Sequence, residues 1–430
     1  MVLAAATTSF GIFILAKCSK YLTNPRHSSF FTLCSITYPS LSLLFDFAMF
    51  VQCFGVGLSY LVLVGDLFPG LLGGNRDWWI LGSALLIIPL CLLRHLDSLK
   101  YSSILGLFAL AYLVTLVIGT FVYGVVLHDD YKSIRGDVFW VKVYDYNGLI
   151  STFSIIIFAY TCTMNIFSII NELTDNSVSN VTKVANSSIG IATFLILSVG
   201  ITGYLTFGSN VLGNIILNYD PDSIWTRVGK FCLGCMVVLS FPLMFHPCRL
   251  ATNNMVHWLQ VNYGHCETHQ TANNDHIHEA RPISMVVADQ EDRQVLGVSD
   301  TYGSLSGANS TPQNDEEEQR EIENNSSAIP FSERKFYTIT AILLLALYAL
   351  ALRVTSFALV LALAGATGST SISFTLPGLF GYKLIGSDAL VSGRLMTSRD
   401  RFYKNCSLVL AWYGVIVMCI SLYVTLYYGA

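Results

Sequence analysis

At ten places along the chain, an apolar run of roughly 17–25 residues passes with few or no charges, long enough to cross a bilayer as a helix. Such a run constrains the fold more than any motif. In hydrocarbon the backbone must satisfy its own hydrogen bonds, so the chain has to be helical wherever it meets lipid. The runs lie at about 1–17, 43–65, 78–93, 102–126, 148–170, 187–207, 226–246, 336–353, 356–382 and 407–428. Arg353 marks a tight turn between the eighth and ninth, where a single re-entrant segment is the alternative reading. Charged residues make up 12% of the chain, against roughly 25% in a soluble domain. The expectation is an all-α polytopic membrane protein.

Charge is unevenly placed. Residues 265–333 hold 14 of the 28 Asp and Glu but 3 of the 24 Lys and Arg. The acidic pI therefore belongs to a polar insert, and the membrane body is mildly basic; neither points to a nucleic-acid partner. The insert has no apolar periodicity and reads as a disordered loop able to contact cytosolic partners. This divides the chain into a membrane core over 1–253, a polar loop over 254–334 and a second membrane core over 335–430. With residues 18–42 in the cytosol, 17 Lys and Arg fall on the cytosolic side and 7 on the other, the asymmetry that orients helical membrane proteins. The lysines Lys17 and Lys20 follow the first apolar run, whereas a signal peptide carries its charges before it.

The 11 cysteines lie mostly inside apolar runs, without disulfide spacing. Cys232 and Cys235 form a CxxC, but on an intramembrane helix they are small packing residues. His265, Cys266, His269, His276 and His278 match no zinc spacing. No metal or cofactor is expected.

The chemistry concentrates in "FAYTCTMNIF". Tyr160, Thr161, Cys162, Thr163 and Asn165 stand at the centre of a segment otherwise oily enough to span. A helix breaks at mid-depth only where it lines a protein-enclosed cavity, and in many transporters such breaks bind the charged ends of a small zwitterion. The competing reading is that these hydroxyls and amides bond two helices together. A second interruption, "LALAGATGSTSISFTLPGLFG", brings Thr367 and Ser369 among Gly365, Gly368, Gly378 and Gly381. On the second span, Gln52, Ser59 and Tyr60 are candidate cavity liners. Asp46 either favours a helix N-terminus or couples transport to an ion. His246, in "FPLMFHPCR", is a proton-relay candidate. The sequence shows no HExxH, phosphate loop or paired intramembrane carboxylates. A membrane acyltransferase using His246 as base, and a receptor or sensor with an occluded ligand site, are the alternatives left open.

Five ordered strings, "FGVGLSYLVLVGDLFP", "IIPLCLLRHLDSLKYSSILGL", "FAYTCTMNIFSIINEL", "SFPLMFHPCR" and "VLALAGATGSTSISFTLPGLF", resemble the amino acid/auxin permease family, in particular its fungal vacuolar members and their animal neutral amino-acid relatives. The resemblance implies a LeuT-type inverted-repeat fold and amino-acid transport by alternating access, coupled to protons or, in some members, sodium. It implies an amino-acid substrate, a vacuolar or lysosomal membrane with the plasma membrane as the alternative, and a cytosolic gate at Asn171 and Glu172. The family's His after the break is replaced here by Met164. The resemblance also places the family's first span, with its own Gly-rich break, upstream of Met1, so the 430-residue chain alone is expected to transport poorly.

Overall fold

The structure, a computed structural model, describes residues 1–22, 28–92, 100–128, 131, 134–140, 146–264, 333–387 and 395–428. Among these residues every regular element is helical. Nine helical segments are long and apolar enough to cross a membrane: Val2–Tyr21, Pro39–Leu72, Ile104–Leu127, Gly148–Glu172, Val178–Asn210, Ile224–Gln260, Glu333–Arg353, Phe357–Leu384 and Ser398–Tyr427. The remaining expected span corresponds to Arg76–Leu92, a 17-residue helix followed by residues outside the described set. Most of the acidic insert, 265–332, also lies outside the described residues.

We label the helices α1 (Val2–Cys18), α2 (Phe30–Thr37), α3 (Ser42–Leu67), α4 (Arg76–Leu92), α5 (Lys100–Thr120), α6 (Tyr146–Ala159), α7 (Ile166–Glu172), α8 (Val178–Phe207), α9 (Ile224–Gly264), α10 (Glu333–Arg353), α11 (Phe357–Ala364), α12 (Leu376–Leu384) and α13 (Ser398–Tyr428). The eighth and ninth spans are separate helices, α10 ending at Arg353 and α11 capped by Ser356, whose hydroxyl accepts from the Leu359 N–H. The expected boundary at 253 falls inside α9, which continues to Gly264 through Pro242 and Pro247. The extension is held from the side: Arg249 and Asn254 reach polar partners on neighbouring helices.

Buried apolar side chains form two main cores. One collects Ile12 and Leu15 of α1, Leu33 of α2, Phe45 at the start of α3, Ile157 of α6, Ile170 of α7, Ile189 of α8, Phe380 of α12 and Leu410 of α13. The other collects Leu61, Val62 and Leu67 of α3, Ile80 and Ile87 of α4, Val237 and Phe241 of α9 and Leu343 and Leu347 of α10. Met49 and Met164 pack against both. Methionine suits such a seam, because an unbranched thioether adapts to shifting neighbours.

The second core is clamped at both membrane faces by arginine. Arg249, 3% exposed, donates to the Cys91 carbonyl at the C-terminus of α4 (3.0 Å), and its guanidinium lies 3.9 Å from the Phe336 ring centre. At the other face Arg76 donates to the Ala351 and Val354 carbonyls at the end of α10 (3.1 and 2.7 Å) and lies 3.6 Å from Asp66. Arg76 thus sits where α10 presents unpaired carbonyls and the negative end of its dipole, and Arg249 reaches a carbonyl in the last described turn of α4.

Candidate functional site

The fifth span is broken. α6 stops at Ala159, a 3₁₀ turn covers Thr163–Asn165, and α7 resumes at Ile166. Between them the i→i−4 ladder gives way to tighter bonds: Thr161 N–H to Phe158 O (3.0 Å), Cys162 N–H to Tyr160 O (2.8 Å) and Asn165 N–H to Cys162 O (3.2 Å). The local cause is legible in part. The Thr161 hydroxyl bonds back to Ile157 O (3.0 Å), the competition by which Ser and Thr bend helices. Cys162 and Asn165 are exposed at this break. Polar groups at such depth cannot face hydrocarbon and call for an enclosed, hydrated space.

Opposite the break, the ninth span does not break but unwinds into the wider π-helix, over Gly365–Ser369 and again over Ser371–Thr375. π-Turns are rare and concentrate at functional sites. The winding lets this span press against its neighbours. A Cβ at Gly365 would overlap the Ser154 carbonyl oxygen of α6, and one at Gly368 would come 2.7–2.8 Å from Gln52 of α3. Across these close approaches the Ser369 hydroxyl donates to Gln52 Oε1 (2.8 Å), and Thr163 Oγ1 lies 3.1 Å from Ser373 Oγ. Gln52, Thr163 and Ser369 are all buried. Three spans are thus joined by a polar network at the level of the break.

Not every candidate joins it. Tyr160 was a candidate for contact with a ligand at the break. Instead its hydroxyl donates to Thr193 of α8 (2.9 Å) and its ring lies in the first core. The Ser59 hydroxyl returns to the Gly55 carbonyl of its own helix, and that of Thr367 to Leu363. Tyr60, half-buried, packs against the second core. Asp46 caps no helix end. It is buried five residues into α3 and accepts from Asn254 Nδ2 of α9 (3.2 Å). His246 is half-buried on α9 one turn before Arg249 and has no hydrogen bond among the described residues. Asn171 pairs with Ser28, while Glu172 is exposed. Met164, in the position where the resemblance expects His, has its sulfur 3.9 Å from Cys53 Sγ. Ser373 escaped the sequence reading; its spacing of four residues from Ser369 was the signal. A groove of about 410 Å³ runs beside α6, lined by Leu149, Phe153 and Ile156 with Val417, Ile420 and Ser421 of α13. It ends about one turn short of the break.

Helices crossing a membrane, one of them broken around hydroxyls, amides and an open thiol, define a polytopic membrane protein with a polar site at mid-depth. The pattern of the family described as "Transmembrane amino acid transporter protein" matches residues 1–420, and the chain belongs to that family. It is 54% identical to a Saccharomyces cerevisiae protein named vacuolar amino acid transporter 7, over 99% of this chain and 90% of that one. It is 35% identical to vacuolar amino acid transporter 5 of the same organism, over 97% and 88%. It is also 22% identical to a Danio rerio protein named sodium-coupled neutral amino acid transporter 7, over 60% and 57%.

Proposed function

We propose that the chain carries amino acids across the vacuolar membrane by alternating access, with the proton as coupling ion, and that it is not an enzyme. The observation carrying this reading is the break at 160–165 set against Gln52, Ser369 and Ser373. Unwound backbone and neutral hydrogen-bonding side chains suit the carboxylate and ammonium of a zwitterion. The naming of the fungal relatives as vacuolar amino acid transporters supports the substrate class and the membrane.

For coupling, the reading uses Asp46. A carboxylate inside a span is the default group for ion or proton coupling. Its hydrogen-bond partner among the described residues, Asn254, is neutral, so the pair can accept or release a proton without breaking an ion pair. In an acidic vacuole each tenfold proton gradient adds about 1.4 kcal/mol toward export to the cytosol.

The test is flux of labelled amino acids in proteoliposomes under an imposed pH gradient or an imposed sodium gradient. The expected result is pH-driven flux, however low its rate, with Asp46→Asn exchanging substrate but no longer driven by the gradient. Binding without flux would replace the reading by a sensor. Flux following sodium alone would overturn the proton assignment.

A further inference from the structure

We propose that α2 is the cytosolic seal of the path: the Phe30 ring closes on Phe45 and Phe167, and a two-bond clasp between Ser28 and Asn171 holds it shut. This rests on the transport reading above and adds the residues that must part before solute leaves toward the basic face.

The half-helix α7 changes character along its length. At its start Asn165 is exposed, and three residues earlier so is Cys162. Immediately beyond, Phe167 is 5% exposed and Ile170 is fully buried. What lies over Phe167 is Phe30 of α2. The Phe30 ring meets Phe167 edge-on, with centroids 4.7 Å apart at 89°, and lies over Phe45 of α3 at 5.2 Å and 28°. Three rings from three elements therefore fill the space between the break and the basic end of the molecule. Edge-on and offset contacts are favourable arrangements for such rings.

The clasp lies one turn further out. Ser28 Oγ donates to Asn171 Oδ1 (3.0 Å), and Asn171 Nδ2 donates to the Ser28 carbonyl (3.1 Å). Alongside, Lys20 Nζ donates to Asn176 Oδ1 (2.8 Å). α2 is built to move as a unit. Ser29 and Thr32 form a reciprocal capping box at its start, which satisfies its first amide groups without help from the membrane helices. Neither the ring contacts nor the Ser28–Asn171 pair uses a charge. The seal should therefore be indifferent to salt, unlike a gate made of an ion pair.

Cys162 is the natural reporter, being exposed on the far side of the rings. The experiment labels the full chain in intact vacuoles with a membrane-impermeant, charged thiol reagent added from the cytosolic side. Modification at Cys162 is read by peptide mass spectrometry. The wild type should label slowly there. Phe30→Ala and Asn171→Ala should each raise the rate at Cys162 by about tenfold, as expected if the open state passes from minor to common. Cys91 and Cys248, buried in the other core, should stay unlabelled and so certify the fold. Phe30→Leu and Ser28→Ala serve where the first variants are poorly made, with smaller increases of the same sign. Unchanged labelling at Cys162 in folded variants would overturn the proposal. Increased labelling in a protein that moves no amino acid would leave the seal standing and remove the transport reading, so the two failures are distinguishable.

Discussion

The two apolar cores are similar in composition and differ in how they are tied. Around the second core, α4, α9 and α10 are held by arginines seated on helix C-termini, one at each membrane face. Around the first core, α1, α2, α6, α7 and α8 are held mainly by neutral bonds, Tyr160 to Thr193, the Ser28–Asn171 pair and Ser9 to Asn186, with the Lys20 ammonium on Asn176 at the basic end. Its one close ion pair among the described residues, Lys17 with Asp400 at 2.5 Å, is partly exposed at the basic end, where such pairs contribute little. A charge-assisted bond is roughly twice as strong as a neutral one. The half of the molecule containing the broken span is thus the half with the weaker ties, and the two meet at Met49 and Met164.

Removing Arg249 should break this contrast most severely. Arg249→Ala strips the end of α4 of its cation and empties the face of Phe336, and should cost about 3 kcal/mol. Thermal unfolding in detergent measures it, and Arg249→Lys should restore only part, lacking the planar fork. Gly365→Ala comes next. A methyl group would meet the Ser154 carbonyl across the junction of α6 and the π-wound span, and overpacking of this kind costs about 1–3 kcal/mol. Because the strain falls beside the break, uptake should drop along with the melting temperature.

Tyr160→Phe sharpens the comparison from the other side. It removes only the bond to Thr193, so stability should fall by about 1 kcal/mol, while the break itself persists. The smallest effect belongs to Asp175, fully exposed before α8. The Ser177 N–H and hydroxyl hold its carboxyl below the usual carboxylate range. The group's folded value is depressed, so its contribution is complete at neutral pH and is lost only as pH falls through that lower value. Asp175→Asn should leave melting at neutral pH nearly unchanged and flatten what acid dependence this turn contributes.

The sequence disclosed the spans and the break for the same reason: apolar run length and misplaced polar residues are local signals. The paired helices around Arg353 and the polar break at Tyr160–Asn165 could both be read that way. Direction was not legible. Tyr160 turns to Thr193 and Ser59 to Gly55 because of neighbours the local string does not specify. The glycines of the ninth span marked an interruption, but their effect is set by Ser154 and Gln52, more than a hundred residues distant. Arg249 carried no signal in the sequence and is buried against Cys91 and Phe336. Phe30 and Ser28 carried no polar anomaly inside a span, so nothing local marked them as a cover for α7.

The central claim is that solute passes where Thr163 faces Ser373. Thr163→Val keeps the shape and deletes the hydroxyl; Thr338→Val, whose hydroxyl only returns to Arg334 on an exposed face, is the control. Amino-acid uptake into vesicles should fall at least about tenfold in the first, the loss of roughly one strong hydrogen bond to substrate or its cradle, and stay unchanged in the second. Wild-type uptake by folded Thr163→Val would contradict the account.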